Sequence, residues 1–433
     1  MNKLLIYLMV GTGLVISPLT WAEPVSRWTL SSSIKRAVEV APEMKTADAE
    51  IGKQQGKLEQ AGAWPNPSIS IQADDTLGLE DAAGGYDVTQ FAISQPLPFR
   101  RLAHQRKQAG AALASAEAQR HHQQLMLEYK VSQRFHVLQL AQAKLQLAKK
   151  RLQQASRYQY TGRKRTASDP LIRYLTPLER MRLDIVLQAA KQAVEVAEGE
   201  FNEVGASFSA LLGIPIESGL SLMPLTTVPG PEELNTLENI LQSHPELEAV
   251  KQTIASSQAG VTKARSQRFA DPTLTLFRGE DYLAGRRQET NGIMLNIQVP
   301  LWNLNNGAVN QARSAVHQAQ AEMDIKQREL RTNLHKSYLH LGHLIEQAEH
   351  YRTRLLQPAQ KVFRLTRNGF EAGELNILTL IDANNTYFDT QARYYELLQQ
   401  GWLELAEVRM SAGLSLMGDS PLSSTRTNLG EVN

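Results

Sequence analysis

The side chains best suited to chemistry in this 433-residue chain are its histidines. His136 and His340 stand 204 positions apart (340 − 136), and His343 and His350 follow on the same predicted helix. Repeated around a shared axis, His136 and His340 would form a ring of imidazoles, a weak collar for a transition-metal ion. Histidines on the wet face of a helix fit the same spacing. No HExxH or comparably tight ligand set supports a stronger site. The chain has no cysteine, which excludes a disulfide framework, a thiolate metal site, a Cys nucleophile and a lipid on an N-terminal Cys. With no nucleotide loop and no nucleophile motif, neither an enzyme nor a cofactor is expected. A formal charge of +2 argues against a nucleic-acid binder. The basic run Arg163, Lys164 and Arg165 suits a solvated loop or a contact with a partner protein.

The elements that would hold these residues are mostly long helices. Ala and Leu are scattered among Gln, Glu, Lys and Arg, and aromatics make up 6%. That mixture favours extended helices over a broad core. The start of the chain is different. Lys3 precedes an apolar run from Leu4 to Leu19, and Thr20-Trp21-Ala22 offers small residues for cleavage. Residues 1–22 read as a secretory signal, too short to span a bilayer, so the mature chain is expected outside the cytoplasm.

The remainder is written twice. "APEM" at 41–44 matches "HPEL" at 244–247, and "WPNPSISI" at 64–71 matches "FADPTLTL" at 269–276. "SQPL" at 94–97 matches "QVPL" at 298–301, and "LLGI" at 211–214 matches "SAGL" at 411–414. Four matches in one order, at offsets between 200 and 205, indicate a tandem duplication. Residues 29–213 form the first repeat and 236–413 the second, with a linker at 214–235 and a tail at 414–433. Each repeat predicts a helix (Ser31–Gly62, Leu237–Phe269), two strands, a very long helix (about Leu102–Tyr160, Ala308–Arg367) and a shorter one (Pro177–Leu212, Asn376–Ala412). Sixty helical residues would reach about 90 Å.

The strands carry the tightest constraint. "VTQFAISQPLPFR" and "NGIMLNIQVPLWN" alternate strictly and stop at Pro96 and Pro300. A half-buried soluble hairpin alternates in this way, and so does a transmembrane strand of about 9–11 residues. In lipid every backbone polar group must be paired, so a sheet there must close. Four strands are too few, because the smallest barrels of this class need about eight. Several copies would therefore pool their hairpins. Phe91, Ile93, Leu274, Leu276, Ile293, Leu295, Ile297 and Val299 would face lipid. Ser94, Thr273, Thr275, Asn296 and Gln298 would line water.

The stretches "TLSSSIKRAVEVAPEM", "AGAWPNPSISI", "ISQPLPF", "ADPTLTL", "IQVPLWN" and "GELNILTLIDANNTYFDTQARYYE", in this order, resemble the TolC-type outer-membrane factors over almost the whole mature chain. The form "WPNPSIS…SQPL" looks most like the heavy-metal cation efflux branch. The resemblance implies a mostly α fold with a transmembrane β-barrel: a homotrimer, four strands per chain in a twelve-strand barrel, and a long α-helical periplasmic tunnel. Residues 214–235 and 415–433 would lie near an equatorial belt.

It further implies a passive exit duct in the outer membrane of a Gram-negative bacterium. Its partners would be outer-membrane lipid, a periplasmic adaptor and an inner-membrane resistance-nodulation-division pump, with metal cations or drugs as cargo. Type I protein secretion uses the same architecture. A periplasmic coiled-coil scaffold or adaptor is the alternative of another class, although an adaptor carries one helical hairpin rather than two full copies.

The resemblance also marks an entrance. Gly373 matches the tip's turn glycine and Asp382 one of its acidic ring, where three carboxylates would attract cations. Thr379 stands where a second acid often sits. Leu375 replaces an arginine, and Phe370 a tyrosine, that help close the tip in the best-known member, so that lock does not carry over. The first repeat has four residues more than the second, most simply within Thr161–Leu175, where Arg163, Lys164 and Arg165 would meet solvent or the adaptor.

Overall fold

The computed structural model describes residues 27–74, 87–164, 176–215, 220–283 and 286–417. The signal at 1–22, Arg165 and most of Thr161–Leu175, and the tail beyond 417 lie outside them. Most of the described chain is helical.

Proline sets the first breaks. Thr29 caps α1 (Leu30–Val40) through a capping box with Ser32. Ala41 is extended at φ −60°, ψ 128°, and Pro42 opens α2 (Pro42–Gly62). The single helix expected over Ser31–Gly62 is therefore two helices. Pro42 restricts Ala41 to extended backbone, and at the first turn its missing N–H costs nothing. The helix expected over Leu237–Phe269 divides likewise, into α5 (Leu234–Leu241) and α6 (Pro245–Ser266). There His244 is the cap, and its Nδ1 accepts the Glu246 N–H at 3.1 Å.

After α2 come β1 (Ser68–Asp74) and β2 (Asp87–Pro96), then α3 (Arg101–Lys164) and α4 (Pro177–Leu212). After α6 come β3 (Thr273–Leu283) and β4 (Arg286–Asn296), then α7 (Asn306–Tyr351), α8 (Gln357–Ala372) and α9 (Ile377–Ala412). The 64 residues of α3 span about 96 Å. Between α7 and α8 the residues Arg352–Leu356 form a π-helical turn, just ahead of Pro358. Proline cannot donate to the residue four back, and the wider turn carries the helix past it. Gly213, Gly373 and Gly413 end α4, α8 and α9 with φ of +61°, +88° and +83°, the left-handed region that glycine enters without strain.

Two apolar clusters sit where the short helices meet the long ones. Ile34, Met44, Val131, Phe135, Leu138, Phe208 and Leu212 form one, from α1, α2, α3 and α4. Leu237, Leu247, Leu334, Leu341, Val408 and Ala412 form the other, from α5, α6, α7 and α9. The α3 shaft joins them by packing on α2, α4, α6 and α9. The Arg101 guanidinium at its start grips Asp271 at 2.8 Å, fixing α3 to the turn that leads into β3.

Candidate functional site

The four strands form one antiparallel sheet in the order β1-β2-β3-β4. Its register decides which side chains share a face. Ile69 pairs with Ile93, Ile93 with Leu276, and Leu276 with Ile293. The next row toward the helices is Gln95, Leu274 and Leu295, and the row on the other side is Ile71, Phe91, Arg278 and Asn291. Directly opposed residues point the same way, and alternate residues do too. Phe91, Ile93, Leu274, Leu276, Ile293 and Leu295 therefore occupy one face. Ile69 and Ile71 join them; the alternation in "SISI" was the signal for these two. Ile297 and Val299 lie past the last paired residue of β4, and both are exposed.

The other face carries Ser94, Thr275 and Met294 in one row and Thr273 and Asn296 in the next. The Ser94 and Thr275 hydroxyls are 2.8 Å apart. On this face the Phe277 ring lies over Gly292: a Cβ at 292 would sit 2.3 Å from Cζ of the ring. Among the described residues nothing covers the apolar face; Ile293 is 74% exposed. Among the described residues the sheet is also open, because β1 and β4 each have one paired side. A bare apolar face with two free ladder edges is a surface that demands partners.

Four aromatic residues flank the strands in sequence on the side where the helices start. Trp64 and Phe99 meet edge to face at 6.1 Å, Phe269 is exposed, and Trp302 is 93% exposed. Each stands beside one of the proline turns, a pattern visible in "AWPNP" and "VPLWN" but not assigned a role above. Aromatic residues in such positions, the two tryptophans with their polar indole N–H above all, favour the boundary between lipid and water.

At the far end of the shafts, α8 turns into α9. The N–H groups of Glu374 and Leu375 both donate to Gly369 O, at 2.9 and 3.2 Å. Leu375 packs on Gly369 so closely that a Cβ there would meet its Cδ1 at 2.8 Å. Asn376 Oδ1 caps α9, accepting the Thr379 N–H at 2.9 Å and its hydroxyl at 3.0 Å. Thr379 and Asp382 are exposed, one turn apart on α9. Phe370 is buried with Tyr158, Leu183, Ile377 and Leu380, which joins α3, α4, α8 and α9 at the tip. Arg163 and Lys164 close α3, and Arg165 falls outside the described residues. Sequence reading missed Arg151 of α3, which donates to Asn385 at 2.7 Å and Asp389 at 3.3 Å on α9.

The imidazole collar does not form. His136 is 3% exposed, stacked on Trp402 at 5.2 Å and edge-on to Phe135. One of its nitrogens bonds Gln139 Oε1 at 2.8 Å. Burial in this apolar setting lowers its pKa to about 4. His340 is at the surface, 3.0 Å from Glu404. Equivalent sequence positions thus hold one core residue and one surface residue. The spacing could not reveal that α9 covers the first of them.

No described helix is long and apolar enough to cross a membrane, which leaves the sheet's relation to lipid untouched. Residues 236–413 match the family model for outer membrane efflux proteins. The cobalt-zinc-cadmium resistance protein CzcC of Cupriavidus metallidurans is 25% identical, over 90% of this chain and 91% of its own. The pyoverdine export outer membrane protein OpmQ of Pseudomonas aeruginosa is 22% identical, over 55% of this chain and 50% of its own. Among solved structures, the outer membrane protein VceC of Vibrio cholerae shares the fold. Its TM-score is 0.69 at 16% identity, covering 89% of this chain and 96% of that one.

Proposed function

Starting from a chain that belongs with the TolC-type outer membrane efflux proteins, we propose that it is the outer-membrane duct of a tripartite efflux system. The observation that carries this reading is the four-stranded sheet with a bare apolar face and two unpaired edges. In lipid those edges must be closed by other strands. Three copies supply twelve strands, enough for a barrel. The Ile69–Ile293 face then meets lipid, and the Ser94–Thr275 face meets water. The aromatic girdle marks the periplasmic boundary. The helical shafts continue the same axis as a tunnel. Its entrance lies at Gly373, where Asp382 from each copy presents a carboxylate that favours cations.

The duct passes cargo and catalyses nothing. A periplasmic adaptor would grip the tips, including the Arg163–Lys164 end of α3, and an inner-membrane pump would drive export. The cargo we propose is divalent metal cations, on the strength of the CzcC likeness across nine-tenths of both chains.

Cell fractionation tests the first part. The protein should require detergent for release from the outer membrane and run as a trimer that heat dissociates. A freely soluble periplasmic monomer would refute the duct. Deletion should lower cobalt, zinc or cadmium tolerance. Unchanged tolerance to all three would refute the cargo and leave the duct standing.

A further inference from the structure

One group among the described residues has the spacing of metal ligands, and it is not the pair that the sequence singled out. His122 on α3, His244 at the cap of α6 and Glu246 in its first turn bring one ligand atom each within 4.8 Å of the others. The His122 and His244 rings are 5.9 Å apart and tilted. His244 is buried and the other two are half-buried.

The bonds around this group are incomplete at one place. His122 Nδ1 is shut off from solvent and has no hydrogen-bond partner. A buried nitrogen left in that state carries a desolvation cost with no return. His244 is fully engaged: its Nδ1 accepts the Glu246 N–H, and its Nε2 donates to Met410 O at 3.2 Å. Its lone pair is therefore on Nδ1, and an ion there would replace one N–H at a helix start. The Nε2–H bond to a carbonyl would stay, fixing the ring as metal-bound imidazoles are commonly fixed. Lys326 holds Glu246 Oε1 at 3.0 Å, which leaves Oε2 for a ligand. Lys326 also binds Glu329 at 3.2 Å and can rest there.

We propose that His122, His244 and Glu246 form a binding site for a divalent transition-metal ion of the zinc, cobalt and nickel class, pinning α3 to the start of α6. Two imidazoles and one carboxylate suit these borderline ions and leave a position for water. Soft monovalent ions prefer the sulfur ligands that this set lacks. The site lies within one chain, so it does not depend on the channel or its cargo.

The test uses the full-length protein in detergent, stripped with a chelator and titrated with zinc by calorimetry and with cobalt by visible absorption. A single ion per chain is expected, with cobalt bands of a nitrogen–oxygen ligand field and a raised melting temperature. His122→Ala and Glu246→Gln should each weaken binding at least about tenfold, since even indirect supports of a metal site cost that much. His317→Ala, on the exposed side of α7, should not. Glu246→Gln keeps the shape of the side chain, and melting of the metal-free form checks that each variant is folded. No stoichiometric binding, or binding that survives both His122→Ala and Glu246→Gln, overturns the site.

Discussion

Leu295 and Asn296 are chain neighbours whose side chains point to opposite faces of β4. Leu295 pairs with Leu274 on the apolar face, and Asn296 with Thr273 on the polar one. The apolar run that starts on β4 is bounded by Asn291 above and continues past the end of the strand to Val299, a span of 299 − 291 = 8 residues. At about 3.3 Å per residue, with the chain extended throughout, this is about 26 Å. Tilted by about 40°, as barrel strands are, it stands about 20 Å tall, close to the ~25 Å apolar band of such barrels. Leu295 is the midpoint of that run. Arginine at mid-bilayer on a lipid-facing strand costs about 2–4 kcal/mol. Three copies would multiply this to about 6–12 kcal/mol, comparable with the whole stability of a domain, about 5–15 kcal/mol. Leu295→Arg should therefore leave no heat-dissociable trimer in the outer membrane. Asn296→Arg should assemble, and in planar bilayers it should lower conductance and cation preference. If both variants assemble alike, or both fail alike, the assignment of faces is wrong.

Three further perturbations address other parts of the chain. Gly292→Ala should push the Phe277 ring off the sheet, narrowing the lumen and lowering conductance at a stability cost of at most about 1 kcal/mol; the double variant with Phe277→Ala should conduct normally. His136 is neutral in the folded chain, with a pKa of about 4 against about 6.5 unfolded. The unfolded state thus takes its proton first, and stability held above pH 6.5 is lost as pH falls towards 4, by about 3 kcal/mol. Melting at pH 7 and pH 5 should show about 2 kcal/mol of this loss in the parent and less in His136→Leu. Glu128 is 1% exposed and accepts from Ser415 Oγ at 2.7 Å and Leu416 N–H at 2.8 Å. Glu128→Ala removes the two charge-assisted bonds that hold the C-terminal segment, worth about 1.5 kcal/mol each, so limited trypsin digestion should release that segment faster, read by mass spectrometry.

Period and punctuation made much of the fold legible. Strict alternation fixed which strand residues share a face, because a period of two leaves no choice once the register is set. Pro177 and Gly213 bounded α4 at the expected residues, and Asn376 capped α9 where a side-chain oxygen was available. The breaks at Ala41 and His244 were in plain view as "APEM" and "HPEL". In the sequence they mark the repeat, and the strong helical pattern on either side suggests continuity across them. The prolines decided otherwise. His136 was misplaced for a different reason. Polar residues on a long helix look solvent-facing until another helix covers them, and the coverage by Trp402 of α9 comes from 266 residues further along (402 − 136). The cluster at His122 was missed for the same reason, since His122 lies more than a hundred residues from His244 and Glu246 and meets them only through the packing of α3 on α6.

The exposed shafts complete the reasoning that the sheet begins. Leu178, Met181 and Ile185 recur at helical spacing on α4, and Leu355, Val362 and Leu365 do so along the π-helical turn and α8; all six are exposed in the single chain. Each set forms an apolar stripe of the kind a helix buries against a neighbour. Among the described residues nothing is laid on these stripes. The sheet and the shafts therefore leave the same kind of surface unsatisfied at opposite ends of the molecule. A head-to-tail ring of copies can satisfy both at once, because every copy then offers one edge and takes the other. A face-to-face dimer would bury one stripe and leave two strand edges open, which is why the cyclic arrangement is the one that the sheet and the helices both favour.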